Sequence, residues 1–152
     1  MTKKPRVIGI DPDSRAHGVA VFVDGFLYAL ESQTTPQLIE QWKREAGKYP
    51  VLFSMENVLK QNFVYARNAK QSKAAHAKVA LSVGRCQQAQ FELMQWLDHL
   101  QIPYVLHPPQ AGNWAKNKPF FEKATGWTGR SNADTRSAAY FGFLEARKCA
   151  TR

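Results

Sequence analysis

The feature that most constrains this chain is an apolar run that stops on an acid, Arg6-Val7-Ile8-Gly9-Ile10-Asp11-Pro12-Asp13-Ser14. Val7, Ile8 and Ile10 read as a core strand, and Pro12, which has no N–H for a sheet ladder, stops it. The apolar run His17–Val23 reads as a second strand, Asp24-Gly25 is a two-residue hairpin signal, and Phe26–Leu30 reads as a third strand. Asp11 therefore ends a buried strand. Two chemistries suit such a position. Asp-Pro-Asp-Ser is good turn composition, in which Asp11 caps the turn; equally, a stiff strand can fix its carboxylate as a metal ligand beside a loop that admits substrate. This segment alone leaves both open.

Further along, Thr35 is a helix cap with Pro36 at the first position, Leu38, Ile39, Trp42 and Ala46 form an apolar face, and Gly47 ends the helix. Val51–Met55 is a fourth strand, and it too runs into an acid, Glu56. From about Asn68 to Leu100 the spacing of Val79, Val83, Cys86, Leu93, Leu97 and Leu100 predicts a long helix, in which Gly84 gives a kink or a close approach. Ile102–Leu106 is a fifth strand broken by Pro108-Pro109. A short helix over Lys118–Ala124 follows, and then a last helix capped by Ser131 or Asn132, with Ala138, Ala139, Phe141 and Leu144 on its apolar side. Three antiparallel strands followed by strands joined through helices predict an α/β domain over residues 1–152, a mixed five-stranded sheet with helices on both faces.

The 152 residues carry 21 Lys and Arg against 12 Asp and Glu, a formal charge of +9. That excess points to a polyanionic partner, nucleic acid before an anionic membrane surface. No apolar run approaches the roughly 20 residues of a membrane span, and the first residues lead straight into a strand, so a soluble protein of cytoplasmic type, without membrane association, is expected. Cys86 and Cys149 are too few for a zinc site or a disulfide framework. His17, His76, His99 and His107 lack ligand spacing and are expected to be packing or surface residues; His107, near a strand end, keeps some functional weight.

Asp11 and Glu56 end two strands, and Asp134 opens the last helix. Carboxylates gathered in a basic protein repel one another unless divalent cations neutralise them, and Mg²⁺ takes such hard oxygen ligands beside substrate phosphates. The combination points to two-metal phosphodiester hydrolysis, with Asp11 as the bridging ligand and Glu56 and Asp134 holding one ion each.

In their order, Val7-Ile8-Gly9-Ile10-Asp11-Pro12-Asp13, Met55-Glu56-Asn57, Gly84-Arg85, the stretch Pro108–Lys116 and the acidic start of the last helix resemble the RuvC-type Holliday-junction resolvases of the RNase H-like superfamily. The run Asn132-Ala133-Asp134-Thr135-Arg136-Ser137-Ala138-Ala139 is more similar to the chloroplast and phage branch. The resemblance covers nearly the whole chain. It implies an RNase H-like fold and a homodimer that nicks a four-way DNA junction with Mg²⁺ or Mn²⁺ and no small-molecule cofactor, in a bacterial or phage-infected cell or an organelle nucleoid. It also implies metal-ligand roles for Asp11, Glu56 and Asp134, and a place for Lys118 near the scissile phosphate. The family usually has two acids in the last helix, adjacent or three apart. Here Asp134 stands alone, with Ala133 before it and Ser137 after it, so Ala133 is read either as an inactivating replacement or as part of a natural three-carboxylate variant.

No acid lies between Glu56 and Glu92, whereas Lys60, Arg67, Lys70, Lys73, Lys78 and Arg85 do. Such residues supply phosphate contacts, or form a solvated helix face. Phe63 and Tyr65 are interleaved with them and suit stacking on unpaired bases; in the resembling resolvases an aromatic near this place wedges into the junction centre. Lys116, Lys118, Lys123, Arg130 and Arg136, mixed with Trp114 and Trp127, form a second basic region. The N-terminal part of the long helix with its neighbouring loop is the expected dimer surface. Two other functions are compatible with the same residues, a nuclease acting on RNA–DNA hybrids and a junction-binding protein without chemistry.

Overall fold

In the computed structural model, residues 3–60 and 72–149 are described. Five strands, β1 (Arg6–Asp11), β2 (His17–Val23), β3 (Phe26–Gln33), β4 (Val51–Glu56) and β5 (Tyr104–His107), form one sheet in the order β3-β2-β1-β4-β5. The first three are antiparallel neighbours, and β4 and β5 run parallel to β1 and to each other. This is the mixed sheet expected from the order of the elements. The hairpin turn falls at Asp24-Gly25, both with positive φ, as a two-residue connection of this composition demands. β3 runs on to Gln33, three residues past the expected end. Its face alternates between exposed and half-buried residues, so no apolar run marks its full length.

Helices cover both faces. On one side α1 (Thr35–Glu45) and the C-terminal half of α2 (Lys73–His99) pack Leu38, Ile39, Trp42, Leu93 and Leu97 against Ile8, Ile10, Val19, Val21 and Phe53. On the other, α4 (Ala133–Ala146) lays Ala138, Ala139 and Ala146 against Val7, Ala20 and Phe22, with Phe121 of α3 (Lys118–Thr125) in the same cluster. Thr34, not Thr35, caps α1: its hydroxyl accepts from the Gln37 N–H while the Gln37 side chain accepts from the Thr34 N–H, a reciprocal box that leaves Thr35 and Pro36 as the first two helical residues.

The long helix differs more from its expected form. Ser72 caps it at Lys73, and residues 68–71 lie outside the described residues. Of its anticipated apolar face only Leu93 and Leu97 are buried, Val83, Cys86 and Leu100 are half-buried and Val79 is exposed, as is Leu81 beside that face. Gly84 gives no close approach: α2 runs through it without a break, and a Cβ there would find nothing within 4 Å.

Glycine decides how α4 sits. Gly9 of β1 lies directly under the helix, and a Cβ on it would overlap the Ala138 carbonyl and come within 2.8 Å of the Gly142 nitrogen. Gly142 in turn has Gly9 Cα only 3.0 Å from where its own Cβ would stand, and Gly18 of β2 lies under the Asp134 backbone. Backbone therefore packs on backbone, and the α4 carbonyl of Phe141 accepts a hydrogen bond from Ser54 Oγ on β4 at 2.6 Å. Gly9→Ala is expected to cost about 3 kcal/mol or more, lowering the melting temperature by roughly 6 to 12 °C. Gly84→Ala, in open space within a helix, is expected to stabilise by about 0.5–1 kcal/mol. Thermal melts of the two variants check both, and equal effects would contradict the packing described.

Candidate active site

The alternation of β1 sends Ile8 and Ile10 to the α1/α2 face and Val7, Gly9 and Asp11 to the α4 face. Asp11 pairs with Gly18 across the β1–β2 ladder. Because Gly18 lets the Asp134 backbone settle on it, the first turn of α4 arrives beside Asp11. On the other side β4 runs parallel to β1 in a register that carries Glu56 to the same end of the sheet.

Asp11 and Glu56 meet there: the Glu56 carboxylate accepts a hydrogen bond from Asp11. Burial, followed by the charges of Glu56, Asp134 and Asp13, pushes the Asp11 pKa up to about 8, against a smaller opposing effect from a hydrogen bond with Ser137. Burial raises Glu56 as well. Asp11 is thus held protonated near neutrality beside Glu56. Asp134 is exposed and acts on Asp11 through space. Among the described residues no three His, Cys, Asp or Glu side chains are gathered so that they could hold a metal ion by themselves. The three anticipated carboxylates are therefore not gathered into one ligand set: Asp11 and Glu56 adjoin at the strand ends, and Asp134 stands exposed on the first turn of α4. The first turn of α4 fixes Asp134 by its main chain alone and leaves its side chain in solvent.

The turn chemistry that made Asp11 ambiguous belongs to Asp13. Its carboxylate accepts from the Arg15 N–H at 3.2 Å, leaving Asp11 to the cluster. His17 Nδ1 accepts from the Asp13 N–H at 3.2 Å and its Nε2 lies 2.8 Å from Thr35 Oγ1. Burial pulls the His17 pKa down to about 4, so this ring is a neutral brace for the loop, in keeping with a packing role.

Beyond Glu56 the chain is pinned by α2. The buried Gln90 side chain accepts from the Val58 N–H at 2.7 Å and donates to Asn57 Oδ1 at 3.1 Å. Gln90 carried no signal in the sequence beyond its helical position, since a polar residue on an apolar helix stripe declares nothing about its partner, and Ser137 stood out only as a non-acidic position after Asp134, not as a neighbour of Asp11. Cys86 was also missed as a neighbour of the site. Its pKa is raised by burial and by the charges of Asp13, Asp11 and Asp134, so mid-α2 borders the cluster.

His107 stands beside Glu56 in the β4–β5 register, but its Nε2 lies 3.1 Å from Ser54 Oγ and 3.4 Å from Glu145 Oε1. Burial lowers its pKa despite Glu145; it helps clasp α4 to the sheet.

The basic residues divide. Lys60, Lys73, Lys116, Lys118 and Arg130 are exposed and make no ion pair with another described residue. Lys118 begins α3 and is not among the charges acting on Asp11. Arg136 is committed internally: its guanidinium donates to the Ala115 carbonyl at 2.9 and 3.3 Å and to Ser131 Oγ at 3.0 Å, fastening the 3₁₀ turn Trp114–Lys116 to α4. Phe63, Tyr65, Arg67 and Lys70 lie outside the described residues.

No family model matches the sequence, and no curated protein matches it. Among solved structures, Thermus thermophilus RuvC in complex with Holliday junction substrate is similar at 15% identity and a TM-score of 0.59, covering 96% of this chain and 95% of that chain. A second T. thermophilus RuvC structure matches at 16% identity with a TM-score of 0.48. The fold is therefore RuvC-like, the α/β arrangement of the RNase H-like class.

The proton held on Asp11 has a consequence for stability. An unfolded Asp11 ionises near its ordinary 3.8, whereas the folded one keeps its proton to about 8, so its contribution to stability falls as pH rises through that interval. Burial of neutral His17 acts in the opposite sense only below its ordinary 6.5. Metal-free protein is accordingly expected to melt at a lower temperature at pH 8 than at pH 7, with Asp11→Asn removing most of the difference. A melting temperature that rises over this step would contradict the buried carboxyl pair.

Proposed function

We propose that this chain is a divalent-metal-dependent endodeoxyribonuclease acting on branched DNA, with paired nicks in a four-way junction as its reaction. The observation that carries this reading is Asp11, half-buried beside the buried Glu56 and near Asp134, with its pKa pushed up to about 8. Hard oxygen donors in mutual repulsion are a donor set that a divalent cation relieves by displacing the proton on Asp11, so Mg²⁺ or Mn²⁺ fits these residues. Asp11 and Glu56 would hold one ion and Asp11 and Asp134 a second, and there the metal supplies Lewis-acid activation of the phosphodiester and of water.

The chain's own residues do the remainder. Strands β1 and β4 hold the two carboxylates rigidly, Ser137 orients Asp11, and Gln90 secures the exit of β4. The unpaired lysines around the site attract phosphates, a contribution that weakens with added salt. Carboxylates repel DNA when they are bare; bound cations would reverse that locally, while the surrounding +9 charge favours the approach of the polyanion. A four-way junction has two equivalent strands to cut, which a twofold dimer matches. The exposed Val79 and Leu81 on the N-terminal half of α2 are the apolar surface we assign to that dimer. The RuvC neighbour described in complex with a Holliday junction has the same fold and supports the choice of substrate.

A second reading, a junction-binding protein without chemistry, is favoured by the outlying position of Asp134 and by the non-acidic Ala133 and Ser137 around it. One assay separates the two: nicking of a four-way junction and of an RNA–DNA hybrid with Mg²⁺, with Mn²⁺ and with chelator. The expected result is metal-dependent nicking of the junction. Asp11→Asn and Glu56→Gln should each reduce it by more than about a hundred-fold, since even second-sphere changes at metal sites cost about 10- to 100-fold, while junction binding persists. Binding without nicking under all metal conditions would favour the second reading, and cutting of the hybrid alone would exclude a junction resolvase.

A further inference from the structure

A second site is built where α3 begins. The 3₁₀ turn Trp114–Lys116 and the first turn of α3 enclose a cleft of about 440 Å³ whose lining includes Trp114, Lys116, Asn117 and Phe120 and no acidic residue. Its floor is rigid. Trp114 is 4% exposed and packs against Phe121, Tyr140 and Phe143 at ring-centroid distances of 5.8, 5.5 and 5.3 Å. Its wall is the reverse: Phe120 is 55% exposed beside its buried neighbour Phe121. The Asn117 side-chain oxygen is taken by the Phe120 N–H at 3.1 Å, which leaves the amide NH₂ turned to other uses. Lys116 lines the cleft, Lys118 stands two residues on at its edge in sequence and outside its lining, and neither makes an ion pair with a described acid.

We propose that this cleft is a subsite for an unpaired deoxynucleotide, its base stacked on Phe120 and its phosphate held by Lys116 and Lys118. The inference rests on the reading of the chain as a DNA-binding protein and adds to it a place where sequence is sensed. A flat π-surface next to uncompensated cations matches a nucleotide, which presents a π-face and an anion together. An acidic peptide would use the cations and leave the ring unmatched. The floor of the cleft is also indexed to the carboxylates, because Arg136, two residues after Asp134, donates twice to the Ala115 carbonyl in the same turn. A base lodged there would be set at a fixed offset from the carboxylate pair, and the Asn117 amide, a donor, would favour bases that offer an acceptor on the exposed edge.

The test is fluorescence anisotropy in chelator with labelled single-stranded twelve-mers of each base and with a fully paired four-way junction, for the wild type, Phe120→Ala and Phe120→Tyr. Loss of one stacking platform is expected to weaken single-strand binding about five-fold or more in Phe120→Ala, with Phe120→Tyr near the wild type, junction affinity little changed, and circular dichroism unaltered. Single-strand affinity in Phe120→Ala equal to the wild type, with the junction still bound, would overturn the subsite and leave the DNA-binding reading standing. Failure of the wild type to bind either DNA would overturn both.

Discussion

The seating of α4 on β1 and β2 governs everything else in this molecule. Gly9 and Gly142 let a helix backbone rest on a strand backbone, and Gly18 does the same one strand over for Asp134. A methyl group at Gly9 would push the helix outward, and with it the one acid that does not come from a strand. The Ser54 hydroxyl bonded to the Phe141 carbonyl and the His107–Glu145 contact then fasten the same helix along its length. The packing problem and the assembly of the carboxylates are thus one problem, solved by residues that carry no chemistry themselves.

The electrostatics follow from that geometry. Burying two carboxyls side by side near a third raises the free energy of the doubly ionised state, and the protein responds by keeping a proton. The basic excess elsewhere does not relieve this, because the unpaired lysines stand in solvent at the periphery while the charges acting on Asp11 are all acidic. A site so arranged stores repulsion that a cation can release. This separates a bare acidic core from a basic surround, the arrangement a polyanion-cleaving site needs if the surface is to attract what the core, unmetallated, would repel.

Much of this was legible in the residues. The apolar run ending on Asp11, the Asp-Gly turn and the second strand ending on Glu56 fixed the sheet, because strand endings are announced by punctuating residues whose backbone chemistry is strict. The division of labour in Asp-Pro-Asp-Ser was not legible: Asp11 and Asp13 are both competent for the turn, and only the α4 contact claims one of them. The long helix misled for a related reason. Val79 and Val83 have core spacing, but spacing reports amphipathicity and not burial, and Val79 is exposed and Val83 only half-buried. Arg136 read as a surface cation and instead holds a carbonyl, since a guanidinium is equally suited to a phosphate and to a backbone oxygen. Gln90 and Ser137 act through partners that lie 33 and 126 residues away in sequence, Asn57 and Asp11, which no local pattern encodes.

The central claim is that the Asp11–Glu56 pair is a cation site waiting on a metal. Anomalous diffraction from crystals soaked in Mn²⁺ tests it most directly. The account predicts a peak between the two carboxylates, with loss of the hydrogen bond they share; ordered Mn²⁺ elsewhere on the chain with none at Asp11, at a pH above 8 where the pair is ionised, would contradict it.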